Sequence, residues 1–393
     1  MLSMLFKPQV RTMLFSYMAG CERVFFEDAK HFIDRRKLTQ AYVASDMTIA
    51  DSKYKKHFRI LWYPHAFIDT VDTLDFLGRY RGVRRIYFRL KFLLYFFCDL
   101  LYALQFLYFA RNDDTYYIFE QPFVALLFPS KTVLAYHNFY NNIIWFRLFP
   151  KCFTVCKIIF PSKSLYDQFA HAYPLLPKTA CHVLFNGVDT AKFHAKQAKD
   201  QHTITFLYAS SWHPLKGISV LEDVIIRINR TYKKRVQFII GGSPDLWSLT
   251  MKEKKHLTKL TNRIQNLSKR YNNVLLKKTE YDDMPALYNQ ATYCLFPSVW
   301  KDPCPLVILE SLACGTPVIT FTCGGASEII KNNVNGFLVQ KIDKNAFYNT
   351  VKEVLINVSE QTYQRVAKNA VTISKQYSSQ HRFNRLENLL YAM

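Results

Sequence analysis

Between residues 296 and 339 the chain reads FPSVWKDPCPLVILESLACGTPVITFTCGGASEIIKNNVNGFLV. Two carboxylates in this stretch, Asp302 and Glu310, are separated by seven residues. Asp302 follows a strand-like run, TYCLFP at 292–297, and falls in a loop. Pro303 and Pro305 suit that loop and the first turn of a helix, LVILESLAC. Gly315 fits the position just past that helix, and Pro317 stops it from continuing. A helix start near Pro305 offers free amides and the positive end of a dipole, which together suit phosphate. Glu310 lies about 7.5 Å along the helix axis from that start, at 1.5 Å per residue. One carboxylate can then take hydroxyls on one side of a bound diphosphate, and the other can take hydroxyls on the opposite side. That is the anatomy of a nucleotide-sugar.

The elements that must hold these residues alternate along the chain. In the second half, TITFLYA (203–209), VQFII (236–240), NVLLK (273–277), TYCLFP (292–297) and PVITF (317–321) read as strands. Helical patterns at 218–232, 246–271, 283–291 and 305–314 separate them. The first half carries strand-like runs at 12–18, 40–45, 115–120, 132–137, 157–162 and 181–185, with a helix over 21–37. Such alternation predicts parallel sheets covered by helices, twice over. In open sheets of this kind ligands bind at the carboxyl ends of strands. A polar, lysine-rich stretch at 187–202 reads as the linker between the halves.

Composition narrows the remaining choices. A chain of 393 residues at roughly 100–200 residues per domain predicts two domains. Half the residues are hydrophobic, so a large core can form and wholesale disorder is excluded. The 11 glycines are concentrated after residue 186, where they mark turns and close backbone approaches. Nine cysteines are too few for a disulfide scaffold, no CxxC pair supports zinc, and the opening MLSMLFKPQV does not read as a signal peptide. These features predict a cytoplasmic, metal-free protein. The net charge of +22 calls for an anionic partner.

Two segments concentrate that charge. RYRGVRRIYFRLK (79–91) carries six basic residues and no acid, and an 18-residue apolar run follows at 92–109 with Asp99 its only charge. Buried domain helix, helix lying on an anionic membrane and membrane span are the three readings of this segment. The central Asp99 and the surrounding α/β pattern disfavour the span. Residues 252–278 carry nine Lys/Arg against Glu253 and read as a solvated helix face. No nucleic-acid recognition motif accompanies either segment.

Taken in order, these motifs resemble the retaining glycosyltransferases of family 4. The Asp302–Glu310 spacing, GTPVI and GGASE match the family's paired acids, Gly-Pro-Val strand and Gly-Gly-x-x-Glu turn. SSWHPLKG (210–217), FIIGG (238–242), FNGVD (185–189), PSKSLYDQF (161–169), AYHN (135–138) and AGCERV (19–24) extend the likeness backwards. The resemblance implies an α/β GT-B fold: two Rossmann-like domains with parallel sheets facing a central cleft. It implies an N-terminal acceptor-binding domain over 1–190; the basic and apolar segment 79–109 falls in that domain and is read as its membrane-facing part. A nucleotide-sugar domain over 191–375 follows, with a helix at 376–393 packing back on the first domain.

The resemblance also implies roles. Lys216 pairs with the donor diphosphate, Asp302 holds a hydroxyl of the donor sugar, and Glu310 binds the nucleotide ribose. Ser210, Ser211 and Gly242 line the donor site, and backbone amides around Cys304, Pro305, Leu306 and Val307 meet phosphate and sugar. His137 sits beside the reacting sugar, and Ala19, Gly20, Glu22 and Asn186 stand on the acceptor side. The implied activity is metal-independent, cofactor-free transfer, with retention, from a nucleotide-diphosphate sugar to a saccharide or lipid-linked acceptor. Bacterial-type surface polysaccharide, lipopolysaccharide or glycolipid synthesis at the inner face of the cell membrane is the implied setting. An inactive nucleotide-sugar-binding scaffold, or a GT-B epimerase or phosphorylase, is the alternative. Four positions depart from the family pattern: Asp302 for glutamate, Ser211 for arginine, Cys304-Pro305 for Phe-Gly, and Ala19 for glycine.

Overall fold

A computed structural model describes residues 2–6, 20–44, 54, 56–61, 81–109, 115–120, 122–127, 132–138, 146, 150–154, 156–196, 203–232, 236–244 and 251–391. The chain divides into two compact units. Unit one holds residues 1–159, 169–182 and 387–393; unit two holds 160–168 and 183–386.

Unit one is built on strands β1 (Leu2–Phe6), β2 (Leu38–Ala44), β3 (Phe58–Leu61), β4 (Thr115–Phe119), β5 (Thr132–Ala135), β6 (Lys157–Phe160) and β7 (Cys181–Val183). They form one sheet in the order β3-β2-β1-β4-β5-β6-β7, and every pair from β3 through to β6 is parallel. Its helices are α1 (Gly20–Asp34), α2 (Arg81–Phe109), α3 (Pro122–Leu127) and α4 (Lys163–Ala172), the first half of α4 counting with unit two. The β4 run TYYIF is buried from Tyr116 onward. Continuous apolar strands are what a parallel sheet covered on both faces requires. The first strand falls on the opening MLSMLF, which is too short a run to announce itself by periodicity. The strand read over 12–18 lies outside the described residues.

Helix α2 buries Cys98, Tyr102, Ala103 and Phe106, with Phe106 edge-on to Tyr116 and Phe96 against Phe123. Among the described residues no helix is long and apolar enough to cross a membrane.

Unit two carries β8 (Ile204–Ala209), β9 (Val236–Gly241), β10 (Val274–Lys277), β11 (Tyr293–Phe296), β12 (Val318–Phe321) and β13 (Gly336–Val339). All are parallel, in the order β10-β9-β8-β11-β12-β13. Helices α5 (Ile218–Thr231), α6 (Met251–Arg270), α7 (Met284–Gln290), α8 (Leu306–Ala313), α9 (Ala326–Ile329), α10 (Lys344–Asn357), α11 (Glu360–Ser374) and α12 (Ser379–Tyr391) complete it, the end of α12 counting with unit one. The sheet order reverses between β8 and β11, so the crevice for a ligand opens beyond the carboxyl ends of those two strands. Among its described side chains the basic helix α6 buries Leu257, Leu260, Ile264 and Leu267 along one stripe; Lys255, Lys259, Lys269 and Arg270 face solvent, while Arg263 donates to the buried Glu222. The stretch read as a linker is described through Lys196, and 189–191 and 194–196 within it are exposed. Val188 and Phe193 are buried there, and Asp189 Oδ1 accepts from the amides of Ala191 and Lys192.

The last turn of α12 is tied into unit one by charge. Glu387 accepts from His31 Nε2 at 3.0 Å, Arg35 Nη1 at 3.1 Å and Lys37 Nζ at 2.9 Å. Burial pulls the Glu387 carboxyl upward, but Lys37, His31 and Arg35 more than offset it and hold its pKa below the usual value. A carboxylate depressed in this way stabilises the fold above its unfolded pKa, and that stability is lost as pH falls through the folded one. Glu387→Gln should therefore lower the urea midpoint near pH 7, with the gap to wild type closing toward about pH 3. An equal gap at both pH values would show that these cations do not stabilise the carboxylate.

Candidate functional site

At the end of β8 the chain turns through Ser210-Ser211-Trp212-His213 into a short 3-10 turn, Pro214–Lys216. His213 Nδ1 accepts from the Leu215 amide at 3.1 Å and caps that turn. Gly217 follows with φ of 77°, and a Cβ on it would lie 1.9 Å from the Pro297 carbonyl oxygen. Only glycine lets the two strand-end loops approach this closely. The Leu215 carbonyl then accepts from the amides of Val299 (3.0 Å) and Trp300 (3.2 Å) and from Ser298 Oγ (3.2 Å). Tyr208 donates its hydroxyl to the carbonyls of Ser211 (2.8 Å) and Lys216 (3.3 Å). Burial raises the Tyr208 pKa, which keeps that proton on the phenol.

These contacts bring Lys216 and Asp302 together. Lys216 Nζ lies 2.5 Å from Asp302 Oδ2 and 4.6 Å from the centre of the Trp300 ring. The loop bearing Asp302 is clasped from behind: the Gly325 amide donates to the Asp302 carbonyl at 2.9 Å. A Cβ on Gly325 would sit 1.8 Å from the Pro303 carbonyl oxygen, so any other residue would push the loop away. Asn186 holds the next residue, its Nδ2 donating to the Cys304 carbonyl at 3.0 Å and its amide to Cys304 Sγ at 3.4 Å. Burial pushes the Cys304 thiol up to about 12, so it stays neutral. Asn186, read from the sequence as an acceptor-side residue, thus supports the loop that carries Asp302.

Helix α8 starts after Pro305, and no side chain caps its first turn, so the amides of Leu306 and Val307 begin an uncapped helix. Glu310 is buried in that helix, and the Tyr288 hydroxyl of α7 donates to its Oε2 at 3.0 Å. Ser210, Ser211 and Gly242 meet at the neighbouring strand ends; a Cβ on Gly242 would lie 2.3 Å from the Ser210 carbonyl oxygen. Glu328 has a different place. Its two oxygens accept from the amides of Lys163 (2.8 Å) and Ser164 (2.7 Å), capping α4 at the end of the PSKS motif.

In unit one, His137 follows β5 and is buried, its ring stacked 5.2 Å from Phe119. Its backbone amide donates to Glu120 Oε1 at 3.1 Å, and Asn138 Nδ2 reaches the same oxygen at 3.1 Å. Glu120 itself is buried at the end of β4 with φ of 56°, beside the β1–β4 reversal of this sheet. Gly20 opens α1 and Glu22 lies in its first turn. Ala19 lies outside the described residues. Tyr288, Trp300, Tyr208 and Glu120 were not singled out from the sequence. Only Glu120, an acid closing an otherwise apolar strand, left a signal there. Among the described residues no group of three or more His, Cys, Asp or Glu is placed to hold a metal.

The chain is similar to known proteins. The family model described as glycosyl transferases group 1 matches residues 189–372. YtcC of Bacillus subtilis (strain 168), which carries the name glycosyltransferase, is 25% identical over 60% of this chain and 62% of its own length. The uncharacterized glycosyltransferase MJ1607 of Methanocaldococcus jannaschii is 28% identical over 47% of each chain. The chain thus spans about half to three-fifths of the length of these relatives. Among solved structures, Anabaena Alr3699/HepE in complex with UDP superposes with a TM-score of 0.70 at 17% identity, covering 100% of both chains. The same protein in complex with UDP-glucose gives 0.66 at 18% identity, again covering 100% of both. The fold is thereby of the GT-B class, and residues 189–372 match the model of the glycosyl transferases group 1 family.

Proposed function

We propose that this chain is a retaining glycosyltransferase that moves a sugar from a nucleotide-diphosphate donor to a saccharide or lipid-linked acceptor. The observation that carries this reading is the Lys216–Asp302 pair, set beside the uncapped start of α8 and one turn from the buried Glu310. In the reaction the bond from the sugar's C1 to the diphosphate oxygen breaks, and charge grows on phosphate. Lys216 and the first α8 amides stabilise that charge, acting as fixed donors already aimed at it. Asp302 takes a hydroxyl of the donor sugar, and Glu310, oriented by Tyr288, takes the ribose hydroxyls. The acceptor oxygen bonds to C1 on the face the diphosphate leaves, so the anomeric configuration is retained. Its proton passes to the departing phosphate oxygen, so no protein base is required. This scheme needs neither metal nor cofactor, because Lys216 and the helix supply the positive charge.

Support for a nucleotide-sugar donor comes from the HepE structures, which hold UDP and UDP-glucose. His137 and the first turn of α1, with Gly20 and Glu22, form the acceptor side in this reading. The setting is synthesis of surface polysaccharide, lipopolysaccharide or a glycolipid, with the enzyme cytoplasmic and peripheral on the inner membrane face. Aspartate in place of the family's glutamate, one methylene shorter, shifts the sugar contact by about 1.5 Å and selects a different donor sugar.

Incubation with a panel of radioactive nucleotide-sugars and lipid extract tests the reading. It predicts transfer; tight nucleotide binding without turnover would favour an inactive scaffold instead. Lys216→Ala should lower kcat at least about a hundredfold while the chain stays folded, and near-normal turnover would contradict its phosphate role. Tyr288→Phe should raise the donor KM about tenfold and leave kcat near wild type, the loss of one hydrogen bond to a charged group. A selective fall in kcat would show that the Tyr288–Glu310 contact acts on the chemical step.

A further inference from the structure

Helix α2 has an outer face unlike that of a soluble helix. Ile86, Leu90, Leu93, Phe97, Leu104 and Tyr108 are each between 50% and 83% exposed. At about 100° per residue they fall within an arc of about 60°, a single apolar stripe about 33 Å long. The opposite face, Cys98, Tyr102 and Phe106, is the one packed into unit one. Arg89 is exposed on the flank of the stripe near its start, within the run 79–91 that carries six cations and no acid. A surface helix normally turns its charges outward and its apolar stripe inward. Here the apolar side chains face out along the whole length, and the cations gather at one end.

We infer that the outer face of α2 is a docking surface for an anionic lipid bilayer, with the helix lying in the plane of the membrane. Charge decides the occupant. A second copy of this chain, also at +22, would bring like charges together, whereas anionic headgroups neutralise the cations of 79–91. The stripe matches what a bilayer interface takes. An interfacial helix sinks its apolar side roughly 5–10 Å into the boundary between headgroups and acyl chains, with basic residues at the flank. Tyr108, the most exposed of the six, has the apolar ring and polar tip that settle at headgroup level. The inference deepens the reading of a lipid-linked acceptor and rests on it for its purpose: α2 would hold unit one where such an acceptor lies.

The test reads binding, not transfer, so it stands apart from the proposed chemistry. The full chain is sedimented with vesicles of phosphatidylcholine, with and without phosphatidylglycerol. Wild type should partition at least tenfold more strongly onto the phosphatidylglycerol vesicles, and Arg89→Glu should reduce that preference. A triple variant, Leu93→Ser, Phe97→Ser and Leu104→Ser, should weaken partitioning at least tenfold. Its melting temperature should fall only a little, since these side chains are at least half exposed, and a UDP-induced thermal shift arising in unit two should persist. Wild-type partitioning of the triple variant would overturn the inference, as would equal binding to neutral and anionic vesicles. Absence of vesicle binding together with self-association that the triple variant abolishes would assign the face to a second copy instead. Loss of the UDP shift in wild type would count against the donor reading and leave the vesicle result unaffected.

Discussion

The attraction between the Lys216 ammonium and the Asp302 carboxylate is what the rest of unit two serves. The two groups come from the loops after β8 and β11, the pair of strands between which the sheet order reverses. An ion pair at that point needs both loops held to within a fraction of an ångström, and the backbone supplies the restraint. Gly217 lets the lysine loop touch Pro297, the Leu215 carbonyl gathers three donors from residues 298–300, and Gly325 presses on Pro303 from the far side. A cation fixed this way needs no reorganisation when charge develops on a leaving phosphate, which is where preorganised sites gain their effect.

A second constraint works by satisfaction of buried polar groups. Glu310 is buried and receives the Tyr288 hydroxyl; Glu120 is buried and receives the His137 amide and the Asn138 side chain. A buried carboxylate without such donors would be costly, so each acid also fixes the segment that supplies its donors. In unit one this makes Glu120 the anchor of the loop carrying His137. Glu328 shows the same economy at a helix end: two backbone amides of α4 take its two oxygens, which gives the last acid of the GGASE motif a structural task.

Much of this was legible in the sequence, for identifiable reasons. Five of the six strands of unit two are apolar runs whose predicted limits differ from the observed ones by a residue or so; β13, only four residues long, was not read as a strand. Lys216, Asp302 and Glu310 stood out because spacing along the chain fixes spacing along a strand–loop–helix unit. Asn186 stood out at a strand end, but its bond to Cys304 spans 118 positions and no local pattern encodes it. Tyr288 and Trp300 were missed for the same reason: an aromatic residue in a short element looks like ordinary core until its partner is known. The burial of Val188 and Phe193 within the polar stretch 187–202 was hidden by the composition around them. The direction of α2's apolar face was hidden because residues 92–109 are apolar all round, and only packing against unit one separates the inner side from the outer.

The central claim is that the diphosphate of a nucleotide-sugar lies between the Lys216 ammonium and the first amides of α8. A crystal structure of the chain soaked with UDP-glucose measures this directly. The account predicts phosphate oxygens within hydrogen-bonding distance of Lys216 Nζ and of the Leu306 or Val307 amide, with ribose hydroxyls on Glu310. A nucleotide-sugar bound with its diphosphate away from Lys216, or with Glu310 still out of reach of the ribose, would contradict it.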